Sequence, residues 1–254
     1  MVISPAKALN LAAGPATAAI TMPILGDETR TLAKLAKRLT IADLKRLMGI
    51  SDSLATLNRQ RFQSFDPGSE DGLQAVFAFN GDVYRGLAAR DLDRSALNWA
   101  QDRLRILSGL YGVLRPLDAI QPYRLEMGSP LKTRRGHGLY DFWGERLALA
   151  LNEAGAGHRD PTLINLASQE YFAAVDRAAL RLPLVNCHFR EERDGELRTL
   201  SFFAKRARGL MARFIIDGRL ENAAEVKAFD REGYGFRKAL SSATDYVFTR
   251  PATT

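Results

Sequence analysis

The chain has 254 residues, 46% hydrophobic and 26% charged, enough to bury a sizeable core as one domain or as a domain with a small insertion. Lys and Arg number 36 against 29 Asp and Glu, and a formal net charge of +7 directs attention to polyanionic partners. The single cysteine, Cys187, excludes an intrachain disulfide framework; with no recognisable export signal, this gives the expectation of a cytoplasmic protein.

Met1–Ile3 reads as a short buried strand followed by Ser4-Pro5-Ala6-Lys7. A lysine just past the carboxyl end of a strand can sit in the crevice where open α/β sheets bind ligands, or on a solvated loop. Residues 8–26 carry no charge, but Pro15 and Pro23 interrupt a stretch of mostly Ala, Thr and Gly. They read as an irregular connection and not as a membrane span or a signal.

A helix begins near Glu28, with Leu32, Leu35, Ala36 and Leu39 as its buried stripe. Leu39–Phe65 then reads as two short helices about a tight turn. Thr40 is the N-cap of the first, whose apolar stripe is Ile41, Leu44, Leu47 and Met48. Gly49-Ile50-Ser51 breaks the run, and the second helix carries Leu54, Leu57, Arg61 and Phe62 on one side. As a pattern, L-x-x-L-x-G-h-S-x-x-L-A resembles the helix-hairpin-helix module L-x-x-L-x-G-h-G-x-x-x-A, with Ser51 replacing the second glycine. Such a turn suits a phosphate, because glycine allows close approach and the next helix begins with unpaired amides. An ordinary αα-hairpin in which Gly49 merely ends a helix has the same signature. Across 28–65, Arg30, Lys34, Lys37, Arg38, Lys45, Arg46, Arg59 and Arg61 face only Glu28, Asp43 and Asp52.

Asp66-Pro67-Gly68-Ser69 is a break, and Leu73–Phe79 fits a strand or a helical turn equally. Asp82 and Tyr84 in the following turn are candidates for polar contacts or for simple turn chemistry. Asp93 caps a helix through Leu97, Ala100, Leu104 and Leu107. Beyond it, Gly109, Gly112, Pro116 and Pro122 are set among apolar residues in a segment that reads as the lining of a site. Arg115 and Asp118 flank a turn there. Arg124 and Glu126 share a face if Tyr123–Met127 is extended, as part of a site or as a partly buried ion pair.

Leu139–Ala154 reads as an amphipathic helix with Phe142, Trp143 and Leu147 inward. Pro161–Leu166 reads as a buried strand, again followed by polar residues, Ser168, Gln169 and Glu170. Leu184–Arg190 and Glu196–Ser201 form a hairpin about Arg193-Asp194-Gly195. A basic helix from about Phe202 to Ile216 brings Arg206 and Arg213 nearly into eclipse, with Lys205 and Arg208 beside them. Its inward residues are Phe203, Leu210, Phe214 and Ile215. Within Phe203–Arg219 five basic residues, Arg219 among them, face only Asp217. Asn222–Phe229 is a last short helix and Asp245–Thr249 a last strand.

The blocks ISPAK, NGDVYRGL, RILSGLYGVLRPLDAIQPYRLEMG, LYDFWG, INLASQEYF and SFFAKRARGLMARFI together resemble the peroxide-stress resistance protein YaaA family, over nearly the whole chain. The resemblance implies a cytoplasmic bacterial protein that limits DNA damage during hydrogen peroxide stress, with a lowered pool of unincorporated iron. It also implies a mixed α/β fold with a helix-hairpin-helix module, here at Thr40–Asn58, and a positively charged cleft associated with DNA binding.

Together these give the expectation of a single mixed-sheet α/β domain (mixed α+β) over 1–254, flanked by helices, with a helix-hairpin-helix insertion at 28–65. It is expected to act as a monomer that binds duplex or branched DNA through phosphates, with little sequence preference. The residues expected to do so are Lys45, Arg46, Gly49, Ile50, Ser51, Arg59, Lys205, Arg206, Arg208 and Arg213. The competing expectation is an enzyme for an anionic small molecule or nucleotide. Its cleft at the strand ends would gather Lys7, Arg115, Tyr123, Arg124, Glu126, Ser168, Glu170 and Lys205. No G-x-S-x-G, Walker loop or G-x-G-x-x-G marks a catalytic centre. His137, His158 and His188 are scattered, and Cys187 and His188 on one strand point to opposite faces, so neither a metal site nor a cofactor is expected.

Overall fold

Short apolar runs cannot shield their own backbone, and here they are joined into an eight-stranded mixed sheet with helices packed around it. The computed structural model describes residues 1–252 other than 13, 15–18, 70 and 194. Pro15 of the connecting segment and Asp194 of the expected hairpin turn therefore lie outside the described residues.

The first part of the chain forms β1 (Val2–Ile3), β2 (Ala8–Leu9), α1 (Gly26–Ala36), α2 (Ile41–Met48) and α3 (Asp52–Ser64). Next come β3 (Leu73–Gln74), α4 (Ala75–Ala78), β4 (Phe79–Asn80), α5 (Asp82–Leu87) and α6 (Arg94–Arg103). The middle holds β5 (Arg105–Ser108), β6 (Gly112–Leu114), β7 (Ala119–Ile120), α7 (Leu139–Trp143), α8 (Arg146–Gly155), β8 (Leu163–Asn165) and α9 (Gln169–Phe172). The last part holds β9 (Leu184–Arg193), β10 (Glu196–Arg198), α10 (Ser201–Gly218), β11 (Gly235–Phe236) and β12 (Asp245–Pro251).

The strand order is β11-β12-β9-β8-β1-β5-β6, with β10 paired to β9. Strands β12, β9, β8, β1 and β5 are mutually parallel, whereas β6, β10 and β11 are antiparallel to their neighbours. Val2, Ile3, Ile106 and Leu107 are wholly buried, as expected for central parallel strands covered on both faces. From β1 the chain proceeds to β5 on one side, whereas β8, on the other side of β1, proceeds outward to β9. The carboxyl ends of adjacent β1 and β8 are therefore a topological switch point, the place where open α/β sheets leave a crevice.

Local signals explain many of the boundaries. The Thr40 hydroxyl accepts from Asp43 N and the Asp43 carboxylate accepts from Thr40 N, a reciprocal cap that starts α2. Asp93 accepts from Ala96 N at 2.7 Å and starts α6. The segment 73–79 is neither wholly strand nor wholly helix: one helical turn, α4, separates β3 from β4. The expected helix 139–154 is two helices, because Gly144 (φ 47°, ψ −127°) breaks it. The expected helix at 222–229 is a 3-10 turn, Ala223–Ala228.

Two apolar faces differ from expectation. On α3 the buried residues are Ala55, Asn58 and Phe62, whereas Leu54 and Leu57 are exposed. The buried Asn58 donates its side-chain amide to the Leu54 carbonyl at 2.8 Å, while its Oδ1 is buried without a partner among the described residues. On α10, small residues reach the interior: Ala204, Ala207, Gly209, Met211 and Ala212 are buried with Ile215 and Ile216, while Phe203, Leu210 and Phe214 are half-buried. The reason is the close crossing of α10 with α5. A Cβ on Gly209 would lie 1.8 Å from the Val83 carbonyl oxygen, and one on Gly86 would lie 2.3 Å from that of Arg206. Only glycine permits this approach.

Candidate functional site

The switch point opens into a cleft of about 550 Å³. Its floor is the chain beyond β1, Ser4 to Ala8. One wall is Asn80–Tyr84 at the start of α5, another is Ser168–Tyr171 beyond β8, and Lys205 and Arg208 of α10 close the rim. The two strand ends are latched together. The Ser168 amide donates to Ser4 Oγ at 2.8 Å, and the Ser4 hydroxyl donates to Ser168 Oγ at 3.2 Å. The Tyr84 hydroxyl donates to the Ser4 carbonyl at 3.1 Å.

Burial pushes the phenols of Tyr84, Tyr123 and Tyr171 well up from their usual range, so they stay protonated. Tyr123 lies beneath the cleft with its hydroxyl 2.6 Å from Ser108 Oγ. Glu126 Oε1 accepts from Arg124 at 2.8 and 3.0 Å and lies 3.3 Å from Lys7 Nζ; its Oε2 is buried without a partner among the described residues. Glu170 Oε1 accepts from the Gly128 amide at 3.1 Å, and Asp82 is paired with Arg85.

The cations of α10 divide into two sets. Arg206 pairs with Glu232 at 2.6 Å, and Arg213 with Asp217 at 2.7 Å, its guanidinium also donating to the Ala88 carbonyl. Lys205 and Arg208 make no ion pair or hydrogen bond among the described residues. Arg208 is half-buried, and desolvation lowers its pKa from the ordinary arginine value. Two unneutralised cations on the rim of a concave surface can hold an anion. Neither serine hydroxyl is hydrogen-bonded to a carboxylate, imidazole or amine among the described residues, so no activated nucleophile is assembled in this state.

The residues expected at a strand-end cleft are thus only partly assembled. Lys7, Ser168, Glu170 and Lys205 line it, Glu126 and Arg124 reach it through Lys7, and Tyr123 underlies it. Arg115 is elsewhere: it is tied to the fully buried Asp118 at 2.9 Å and to the Met22 carbonyl, a structural role. Asn80, which also borders the cleft, has no signal in the sequence, because an isolated amide carries no motif, and Gln169 is marked there only as one of the polar residues that follow β8.

At the hairpin, Gly49 has the left-handed conformation (φ 61°, ψ 42°), and nothing lies within 4 Å of where its Cβ would be. Ser51 caps α3 through Leu54 N at 3.4 Å, leaving the amides of Asp52 and Ser53 without a helical acceptor. Three of the four basic side chains of α2 and α3 are engaged, Lys45 with Asp52 at 2.7 Å, Arg46 with Asp43, and Arg59 with the Leu39 carbonyl, while Arg61 makes no ion pair or side-chain hydrogen bond among the described residues. No residue of 39–65 lines the cleft that Lys205 and Arg208 border.

Cys187 is buried and its neighbour His188 points outward, 2.8 Å from Asp245. Among the described residues, no group of three or more His, Cys, Asp or Glu side chains could hold a metal ion. No helix among them is long and apolar enough to cross a membrane.

Comparison with known proteins gives the context. Residues 1–240 match the family model described as peroxide stress protein YaaA. A UPF0246 protein of Phenylobacterium zucineum is 64% identical over 251 residues, covering 99% of this chain and 94% of that protein. One from Caulobacter vibrioides is also 64% identical, over 99% of this chain and 98% of its own length. A more distant one from Maricaulis maris is 52% identical over 99% of this chain and 95% of that protein. The match in sequence along nearly the whole length, strand-end cleft included, means that this chain belongs to the peroxide stress protein YaaA family.

Proposed function

We propose that this protein serves the peroxide stress response by binding DNA, duplex or branched, through its sugar-phosphate chain. In this reading it is a monomeric cytoplasmic protein that shields DNA from peroxide-driven damage while the pool of unincorporated iron is lowered. Shielding of this kind requires no iron ligand on the protein. The observation that carries the reading is the pair Lys205 and Arg208, both without a counter-charge, at the rim of a cleft that also holds Lys7. Cations placed in this way neutralise phosphates and read no bases. The open turn at Gly49 and the free amides that start α3 supply a second phosphate contact, made by backbone and not by side-chain charge.

The test is binding to duplex, single-stranded and four-way junction DNA across a salt series. Changing Lys205→Glu and Arg208→Glu together removes two phosphate contacts and should flatten the slope of log K against log salt by about 2. An unaltered slope would mean that α10 does not face DNA. A second reading, an enzyme for an anionic small molecule or nucleotide, is favoured by the cleft volume of about 550 Å³, which lies in the range of small-molecule sites. Thermal shift against a panel of nucleotides separates the two.

A further inference from the structure

A phosphate contact requires only the rim of the cleft, yet the cavity extends from Lys205 and Arg208 to the strand ends at Ser4 and Ser168. At about 550 Å³ it has room for one small molecule. Duplex DNA keeps its bases inside the stack, so a cavity of this size can admit a base only after it leaves the stack. The lining beyond the two cations suits such a unit. Asn80 and Gln169 are exposed to the cleft, and their carboxamides have no hydrogen-bond partner among the described residues. Each offers an acceptor and two donors, the pattern that pairs with the edge of a nucleobase. Pro5, Ala6 and Val83 give the cavity apolar surface, and the buried phenols of Tyr84 and Tyr171 remain neutral. Of the carboxylates that border the cleft, Asp82 is paired with Arg85, and Glu170 accepts from the Gly128 amide and keeps its charge on the side of the cleft formed by the chain beyond β8. The open cationic end is therefore that of Lys205 and Arg208.

We infer that the cleft holds one nucleoside monophosphate unit, with its phosphate on Lys205 and Arg208 and its base edge on the carboxamides of Asn80 and Gln169. The unit has two possible sources with the same chemistry: a nucleotide extruded from a DNA strand, or a free mononucleotide. The first rests on the DNA-binding reading above, and the second does not.

The test uses the full chain in two arms. Calorimetric titrations compare the four deoxynucleoside 5′-monophosphates with the parent deoxynucleosides and with inorganic phosphate. Fluorescence titrations use duplexes carrying 2-aminopurine opposite an abasic position, which brighten when the base leaves the stack. At least one monophosphate is expected to bind about tenfold more tightly than its nucleoside or phosphate alone, or the 2-aminopurine duplex to brighten on binding. A response in the first arm identifies the free source, and one in the second the extruded source. Asn80→Ala with Gln169→Ala should weaken whichever response is seen by about tenfold without moving the melting temperature, since both side chains are exposed. If duplex DNA binds but neither arm responds, or if the double variant responds like the wild type, the nucleotide site is ruled out and the DNA reading stands. If duplex DNA and both arms all fail, the two fall together.

Discussion

The hairpin α2–α3 and the helix α10 carry similar excesses of positive charge in sequence, but they hold it differently. In the hairpin, Lys45 and Arg46 are paired with carboxylates, Arg59 donates to a carbonyl and Arg61 is unpaired among the described residues, and none of the four lines the cleft. On α10, Arg206 and Arg213 are neutralised, whereas Lys205 and Arg208, one and two residues from Arg206, are not. What a ligand feels is the charge left over after internal pairing, and formal counts do not report that.

The largest expected difference between the two regions is in tolerance of an added side chain. Gly209→Leu, at the α5–α10 crossing, should cost about 3 kcal/mol of stability in urea or thermal melts. Gly49→Ala, which only strains a left-handed turn in open space, should cost about 1 kcal/mol. Equal costs would contradict the close crossing. Next is Gly49→Asp, which keeps the melting temperature near that of the wild type, because Asp tolerates this backbone. It should lower DNA affinity about tenfold by setting a negative charge against the phosphate. Unchanged affinity would remove the hairpin from DNA binding and leave the cleft alone.

A smaller effect concerns the start of α2. Thr40→Ala should cost about 1 kcal/mol through loss of the cap. The bond from the Thr40 hydroxyl is the main reason that the Asp43 carboxyl is held below its usual range. A depressed carboxyl contributes stability above its unfolded pKa and loses it as pH falls through the folded one. Acid titration followed by circular dichroism should therefore show less acid-sensitive loss in the Thr40→Ala protein than in the wild type. The smallest expected effect is none at all. Burial pushes the Cys187 thiol up to about 12, so sulfenate trapping after peroxide treatment of the native chain should find it unmodified. Labelling in the folded state would show that β9 opens.

Features set by neighbours in sequence were legible from sequence. The caps at Thr40 and Asp93 depend on residues a few positions apart, and each forms as the pattern requires, while β10 pairs back antiparallel onto β9. Lys7 and Ser168 were readable as strand-end residues because the buried runs before them mark where β1 and β8 stop. The inward face of α3 was misread because Leu54 and Leu57 suggest one stripe. Asn58 is buried instead, its amide nitrogen met by a backbone carbonyl that hydrophobicity alone does not reveal. The helix over 139–154 was extended through Gly144 because one glycine inside a periodic run does not announce a positive φ. Arg115 looked available until the fold buried Asp118 three positions on and fixed the pair. Which α10 cations stay free depends on Glu232, a residue 26 positions from Arg206 along the chain.

The Ser4–Ser168 latch has a consequence for how the molecule matures. It joins residues 164 positions apart, and the rim cations arrive later still in the chain. The hairpin can close as soon as its own two dozen residues exist, since its contacts are local. The cleft must wait for long-range closure, which is the slow part of folding. During synthesis the protein therefore acquires the turn at Gly49 first. The cleft becomes complete only after most of the polypeptide has emerged.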